Sequence, residues 1–183
     1  MCPTNDFSSG GGDHSRRAAG NKGFGSEPNL LINRQRSVRA DWAGVRKFLD
    51  VLRSRVAKRP FTICLVSDRS IRRYNKQYRH KDQATDVLSF PAGDGAEPNE
   101  YLGDILISVE TARCSAARFH LALKDEIKIL SLHGVLHLMG YDHETDRGRM
   151  ARAERLWSDR LHLRTSLSAR AATRTARARG GKG

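Results

Sequence analysis

The segment from residue 122 to 138 constrains the fold of this chain more than any other feature. Its apolar residues recur on nearly every side of the predicted helix rather than in one stripe: Ile127, Ile129, Leu130, Leu132, Val135, Leu136 and Leu138. A helix that is apolar nearly all round has to be buried. Asp125 and Glu126 fall in its first turn, where the helix dipole favours acidic side chains. We therefore expect a buried central helix around which the rest of the chain packs.

The segments before and after this helix predict a small mixed sheet. Short apolar runs bounded by turn residues predict strands at 29–33, 61–66, 86–90 and 102–109. Capping residues and helical periodicity predict further helices at 41–57, 67–79, 110–120 and 144–161. The order of elements predicts an α+β (α/β-like) fold, with one sheet of about four strands packed with about five helices. In the last helix we expect Met150, Leu156 and Trp157 to face inward.

The composition divides the chain into a folded domain and two tails. Residues 1–28 are rich in Gly, Ser, Asn and Asp and predict a disordered extension without the apolar segment of a secretory signal. Residues 163–183 predict a basic disordered tail, because they carry six basic residues and no acidic one. The domain itself is expected at residues 29–162.

Two histidines of the central helix predict a metal site. His133 and His137 are four residues apart and share one face of the helix. Gly140 can end the helix in a left-handed conformation, so that His143 turns back toward the pair. Three imidazoles and an open position are typical of catalytic zinc, although nickel or manganese would also suit them. A metal held by His133, His137 and His143 would acidify water and polarise a phosphoryl or carbonyl oxygen.

The spacing of the three histidines is also that of the metzincin proteases. In those proteases the residue after the first histidine is a glutamate that acts as general base, whereas this chain has Gly134. Glycine cannot take a proton from water, which argues against peptide hydrolysis. A metalloprotease-like zinc hydrolase stays open as an alternative.

The charge of the chain favours a polyanionic partner. The net charge is +13. Residues 163–183 carry +6 and the first 28 residues are balanced, so residues 29–162 carry the remaining +7. Nucleic acid is the first candidate and an anionic membrane surface the second. Cys2, Cys64 and Cys114 are far apart in the sequence and are expected to be reduced thiols in the cytoplasm. The chain has no apolar run near the roughly 18 residues that span a bilayer.

Three motifs resemble the YbeY family of bacterial rRNA-maturation endoribonucleases. The first is His133–His143 with glycine after the first histidine, and the second runs from Asn75 to Pro91, Asn-Lys-Gln-Tyr-Arg-His-Lys-Asp-Gln-Ala-Thr-Asp-Val-Leu-Ser-Phe-Pro. The third is Leu102-Gly103-Asp104-Ile105, ahead of the central helix. The resemblance covers about residues 29–161, with the motifs in the family's order.

The resemblance implies a single-strand-specific metallo-endoribonuclease. The metal, usually zinc, would be held by His133, His137 and His143, and Arg79 would match an arginine implicated in activity. We therefore expect His133 and Arg79 to be catalytic. A guanidinium suits the second role because it binds phosphate bidentately and stays charged.

The resemblance also implies the biological setting. The substrate would be the 3′ region of the precursor 16S rRNA, with a further role in ribosome quality control. The partners would be the small ribosomal subunit and maturation factors, in the cytoplasm and without a membrane. A second alternative is a non-catalytic ribosome-assembly factor whose metal is structural.

Four further residues have two interpretations each. Asp86, Asp104 and Asp142 either orient a ligand histidine through its second ring nitrogen or serve local turns. Tyr141 either stacks on a base or packs on the histidine helix.

Overall fold

The computed structural model describes residues 30–92, 101–142 and 146–170, which form one α+β unit. The strands are β1 (Leu31–Asn33), β2 (Thr62–Val66), β3 (Val87–Pro91) and β4 (Gly103–Ser108). The helices are α1 (Ala43–Leu52), α2 (Asp68–Arg79), α3 (Val109–Arg118), α4 (Leu123–Leu138) and α5 (Arg149–Arg160). A π-helical turn, Arg53–Ala57, continues α1 and ends at Lys58, whose φ is 58°. The predicted α+β class and the four-stranded mixed sheet are confirmed.

The sheet has the strand order β1-β2-β4-β3. β1, β2 and β4 run parallel, and β3 joins the edge of β4 antiparallel. The register places Ile63 beside both Leu31 and Ile105, and Ser89 of β3 opposite Ile105. Because side chains alternate along a strand, this register assigns each residue to one of two faces.

One face of the sheet packs on α4, which is the buried central helix that the sequence predicts. Ile127, Leu130, Val135 and Leu136 are fully buried in a core that also takes side chains from α1, β2 and β4. α4 contacts α1, α3, α5, β3 and β4. Gly140 ends this region with a φ of 86°, as expected for a glycine that terminates a helix.

The other face of the sheet is covered only in part. α2 packs there through Ile71, which contacts Val66, Leu88 and Leu106. The hydroxyl of Ser67 caps α2 by accepting a hydrogen bond from the N–H of Ser70 at 3.3 Å. Ile32 of β1 and Cys64 of β2 line an open depression on this face.

The last helix differs from the prediction in its start and in its buried face. Helix α5 begins at Arg149 rather than at residue 144, because the carboxylate of Asp146 accepts hydrogen bonds from the N–H groups of Gly148 (2.9 Å) and Met150 (2.6 Å). Met150 is buried as predicted, but Leu156 is 47% exposed. The buried face consists of Met150, Glu154 and Ser158, which are successive positions four residues apart.

The predicted tails fall largely outside the described residues. Residues 1–28 are not described, and of the tail expected at 163–183 only residues 163–170 are. Leu163 and Leu167 pack against the core, and residues 167–170 are helical. In the described part of the chain, no helix has the length and apolar character needed to cross a membrane.

Candidate metal centre

His133 and His137 lie side by side on the last two turns of α4. Their Nε2 atoms are 3.1 Å apart, with ring centroids 4.7 Å apart and ring planes at 77°. His133 is 7% exposed, so its ring is held within the packed domain. The helical spacing that the sequence predicts therefore brings two ring nitrogens to one point.

A buried carboxylate from α5 fixes the orientation of His133. Glu154 Oε1 lies 2.6 Å from His133 Nδ1, and Glu154 is 1% exposed. A carboxylate at this position favours the tautomer in which Nδ1 carries the proton, so that Nε2 presents its lone pair toward His137. Burial by itself raises the pKa of a carboxyl, but hydrogen bonds and charge from His133, with hydrogen bonds from Ser168, hold the pKa of Glu154 below its usual value.

Ser168 holds the other oxygen of the same carboxylate. Its N–H donates to Glu154 Oε2 at 2.9 Å, and its hydroxyl donates to the same oxygen. Two residues further on, Arg170 forms a buried ion pair with Glu126 of α4, at 3.0 and 2.8 Å, and its guanidinium lies 4.6 Å from the centroid of the Phe119 ring. Residues 166–170 are therefore tied at two points to the domain, at Glu154 of α5 and at Glu126 of α4.

A cavity of about 510 Å³ opens beside the paired imidazoles. Its lining includes Arg79 from the end of α2, Asp86 and Ser89 from the β3 region, both histidines, and Leu167 and Ser168. The structure thus brings three sequence-predicted residues, Arg79, His133 and His137, to one cavity. We call this the histidine cavity.

The loop after α2 places Arg79 at the rim of the histidine cavity. Asn75 is buried, and its amide donates to the carbonyl of Gln83 at 2.8 Å. The carbonyl of Asn75 accepts hydrogen bonds from the N–H groups of His80 and Lys81, and His80 ends the helix with a φ of 56°. These contacts fix the turn, so the preceding Arg79 is directed by ordered backbone.

The close packing of α4 on the sheet explains why the residue after the first histidine is a glycine, Gly134. A Cβ atom there would lie 2.8 Å from Cγ2 and 2.9 Å from Cδ1 of Ile105, and 3.2 Å from the hydroxyl oxygen of Ser89. Ser89 also donates a hydrogen bond to the carbonyl of Gly134 at 3.2 Å. α4 approaches the sheet too closely at this point for a glutamate, and the position faces β4.

His133 and His137, the two predicted ligands within the described residues, are placed as a divalent transition metal requires. Two ligands about 2.0–2.1 Å from one tetrahedral zinc would be about 3.3 Å apart, close to the 3.1 Å between the two Nε2 atoms. His143, the third ligand predicted from the sequence, lies outside the described residues. Among residues 30–92, 101–142 and 146–170, no group of three or more potential ligands forms a metal site.

Asp86, Asp104 and Tyr141, three of the four residues with two interpretations, have different surroundings. Asp86 lines the histidine cavity, but its carboxylate accepts from the N–H of Val87 at 2.9 Å and the hydroxyl of Thr85 at 3.2 Å, which is a local turn. Asp104 lies on the opposite face and accepts from the Tyr101 hydroxyl at 2.7 Å. Tyr141 packs against the core, with the Arg149 guanidinium 5.9 Å from its ring centroid.

The sequence reasoning missed Glu154 and Ser168. The available signal was the spacing of Met150, Glu154 and Ser158, which puts an acidic residue on the apolar face of a predicted helix. A carboxylate at such a position needs a partner, and a nearby histidine motif supplies one. Ser168 had no comparable signal, because its partner is 14 residues away.

Comparisons with known proteins agree on one family. The family model for endoribonuclease YbeY matches residues 33–162. A Solibacter usitatus protein named endoribonuclease YbeY is 47% identical over 124 residues, covering 67% of this chain and 81% of the relative. A Helicobacter pylori (strain Shi470) protein of the same name is 39% identical over 142 residues, covering 78% and 98%.

A solved structure agrees with the fold. The solution structure of a Thermotoga maritima protein matches with a TM-score of 0.50 at 24% identity, covering 72% of this chain and 89% of that one. At this identity the likeness bears on the fold alone. Leu167 and Ser168, which line the histidine cavity, lie beyond the residues matched by the family model.

Proposed function

This chain belongs to the endoribonuclease YbeY family, and on that basis we propose that it is a metal-dependent endoribonuclease acting on single-stranded RNA. The observation that carries the proposal is the histidine cavity, where Arg79 lies at the rim and His133 and His137 at one wall. The physiological substrate that we propose is the 3′ region of precursor 16S rRNA, in the cytoplasm and on the small ribosomal subunit with its maturation factors. A role in ribosome quality control belongs to the same proposal.

The metal-binding part of the proposal assigns Zn²⁺, or another divalent transition metal, to His133, His137 and His143. Such an ion supplies Lewis acidity toward a phosphoryl oxygen and lowers the pKa of water. Glu154 holds the ring of His133 with its lone pair toward His137, and Ser168 holds Glu154. The protein thus orders the ligand ring before any ion binds, which lowers the entropic cost of forming the site.

Arg79 is the group proposed to act on the scissile phosphate. Its guanidinium remains charged at any physiological pH and presents a planar fork of donors. Charge that develops on the phosphate oxygens during cleavage is stabilised by such a preorganised cation. The fixed turn after α2 orders the backbone from which the Arg79 side chain extends.

The protease alternative is opposed by the packing of Gly134. The Cβ of a glutamate at this position would already overlap Ile105 of the sheet, so the packing of α4 on β4 does not admit that residue. A structural metal is opposed by the cavity itself, because about 510 Å³ beside two imidazoles leaves room for a reactant.

Cleavage assays with matched variants test the proposal. The substrates are a single-stranded oligoribonucleotide, the same strand in a duplex, and an unstructured peptide. We expect the wild-type protein with Zn²⁺ to cleave only the first, Arg79→Ala to reduce cleavage by a factor of about 100 to 1000, and Arg69→Ala to match the wild type. Arg69 is exposed on the same helix but outside the histidine cavity. Undiminished cleavage by both Arg79→Ala and His137→Ala, or cleavage of the peptide, would overturn the proposal.

The rRNA part of the proposal needs a cellular measurement. Cells carrying His137→Ala in place of the wild type should accumulate 16S rRNA with an unprocessed 3′ end. Mapping of the 3′ ends by sequencing detects this, and normal ends in that strain would contradict the assignment of substrate.

A further inference from the structure

A second depression, of about 530 Å³, lies on the opposite face of the sheet from the histidine cavity. Its floor includes Ile32, Cys64 and Leu106 from three neighbouring strands. Its wall is formed by Tyr74 and Tyr78 of α2 with Phe90 of β3. We call this surface the aromatic groove. The proposed cleavage reaction does not use it.

The aromatic side chains of the groove are exposed. Tyr74 and Tyr78 are 40% and 57% exposed, although each carries a large apolar ring. Their rings are nearly parallel, with an interplanar angle of 11° and centroids 6.4 Å apart. Phe90 supports both from below in edge-to-face contacts, at 6.2 Å from Tyr74 and 5.2 Å from Tyr78. Phe90 therefore contacts two tyrosine rings that are both partly exposed to solvent.

The charge at the groove favours an anionic occupant. Arg34 lines the groove and pairs with no carboxylate among the described residues. Asp104 also lines the groove, and its carboxylate is engaged by the hydroxyl of Tyr101. Arg73, next to Tyr74 on α2, is exposed. Rings open to stacking beside unpaired arginines match the two requirements for binding single-stranded nucleic acid, a surface for bases and cations for the backbone.

The groove and the histidine cavity meet at the edge of the sheet. β3 is the edge strand, and its successive residues Ser89 and Phe90 line the histidine cavity and the groove, respectively. The last two residues of α2 divide in the same way, since Tyr78 lines the groove and Arg79 the histidine cavity. An RNA chain that crosses this edge of the sheet would therefore pass from Tyr78 to Arg79 within a few nucleotides.

From this arrangement we propose that the aromatic groove is a binding subsite for single-stranded RNA, in which Tyr78 and Tyr74 stack on bases that flank the scissile phosphate. The inference rests on the proposed function for the identity of its ligand. Stacking accepts any base, so the subsite contributes affinity and strand selection rather than sequence specificity. A base within a duplex is stacked between neighbouring base pairs and cannot offer its face to Tyr78, which makes the groove selective for single strands.

Binding to a protein that does not cleave tests the subsite separately from catalysis. The His137→Ala chain is titrated into a fluorescein-labelled 12-nucleotide RNA, and anisotropy gives the Kd. Adding Tyr78→Ala should weaken binding about 5- to 150-fold, since stacking contributes about 1–3 kcal/mol per base. Tyr78→Phe should stay within about twofold, because the ring remains. Leu156→Ala is the matched control, as another large exposed residue that lies outside both cavities.

Fluorescence of 2-aminopurine reports stacking directly. We expect quenching when this base is placed a few nucleotides from the cleaved bond, retention of quenching in Tyr78→Phe, and loss in Tyr78→Ala. Circular dichroism and thermal unfolding of each variant show that the fold is kept. Equal RNA affinity and equal quenching in all variants would overturn the inference.

The two proposals fail in different ways. If wild-type protein with metal leaves RNA intact while Tyr78→Ala still weakens RNA binding, the proposed reaction is wrong and the subsite stands. If RNA is cleaved and Tyr78→Ala binds it like Tyr78→Phe, only the subsite is wrong.

Discussion

Glu154 Oε1 lies 2.6 Å from Nδ1 of His133, although the two residues belong to different helices and are separated by 21 positions in the sequence. The contact is fully buried, and it fixes the ring that faces His137. A carboxylate behind a ligand imidazole raises the basicity of the ligand and sets its tautomer.

Removal of this carboxylate should weaken metal binding without removing the ligands. We expect Glu154→Gln to lower the Zn²⁺ affinity about 10- to 100-fold, because the amide orients the ring but carries no charge. Competition with a chromophoric chelator measures the affinity directly. Glu154→Gln keeps the size of the side chain, and an affinity equal to the wild type would show that the contact has no role in metal binding.

Ser168 should act through Glu154. Ser168→Ala removes the hydroxyl and leaves the N–H bond at 2.9 Å, so we expect a smaller loss of Zn²⁺ affinity than for Glu154→Gln, about two- to tenfold. If the effect is transmitted by the carboxylate, Ser168→Ala should add little in a chain that already carries Glu154→Gln. Full additivity of the two losses would contradict this coupling.

Gly134 should tolerate no side chain. We expect Gly134→Ala to lower the free energy of unfolding by about 1–3 kcal/mol, since its Cβ would overlap Ile105. Gly44→Ala is the matched control, because a Cβ on that helical glycine meets nothing within 4 Å. That control should gain up to about 1 kcal/mol from helix propensity. Urea unfolding measures both, and Ile105→Val should recover part of the loss by removing one clashing methyl group.

The buried pair of Arg170 and Glu126 should hold residues 166–170 on the domain. Arg170→Met leaves Glu126 as an unpaired carboxylate, so we expect a loss of about 3 kcal/mol, at the low end for buried pairs because the segment can swing out and admit water. Burial already raises the pKa of Glu126 despite the guanidinium. The double variant Glu126→Leu/Arg170→Met should recover most of the stability in chemical unfolding, and no recovery would contradict a charge-based cause.

The lowered pKa of Asp82 predicts how the stability of the fold changes at acid pH. Hydrogen bonds from Arg72 and then Lys76, at 2.7 and 2.9 Å, lower the pKa of Asp82 to about 2. Because the folded pKa lies below the unfolded value of about 3.9, the stabilisation is present above about pH 4 and is lost as the pH falls toward 2. A carbon-detected NMR titration of this carboxyl should give a pKa of about 2. Arg72→Met should raise this pKa more than Lys76→Met does.

Local periodicity was enough to predict the central helix and its paired histidines. The apolar residues of α4 surround it on all sides, and four-residue spacing places His133 and His137 on one face whatever the helix packs against. The left-handed Gly140 followed from its position after the last apolar residue. In α5, by contrast, the inward residues were partly wrong, because Leu156 was expected inside and Glu154 was not.

The sequence alone therefore determined the features that depend on residues a few positions apart. These are the helices, most strand bounds, the approach of two imidazoles and the class of the fold. The third ligand His143 and the tails at 1–28 and 171–183 stay predictions. Only the tertiary structure decided that Glu154 and Ser168 support His133, that Arg79 shares a cavity with the histidines, and that Tyr78 opens onto the other face of the sheet. The physical reason is that helical and strand periods are set along the backbone, whereas these contacts join residues distant in sequence and exist only once the faces of the elements have been packed together.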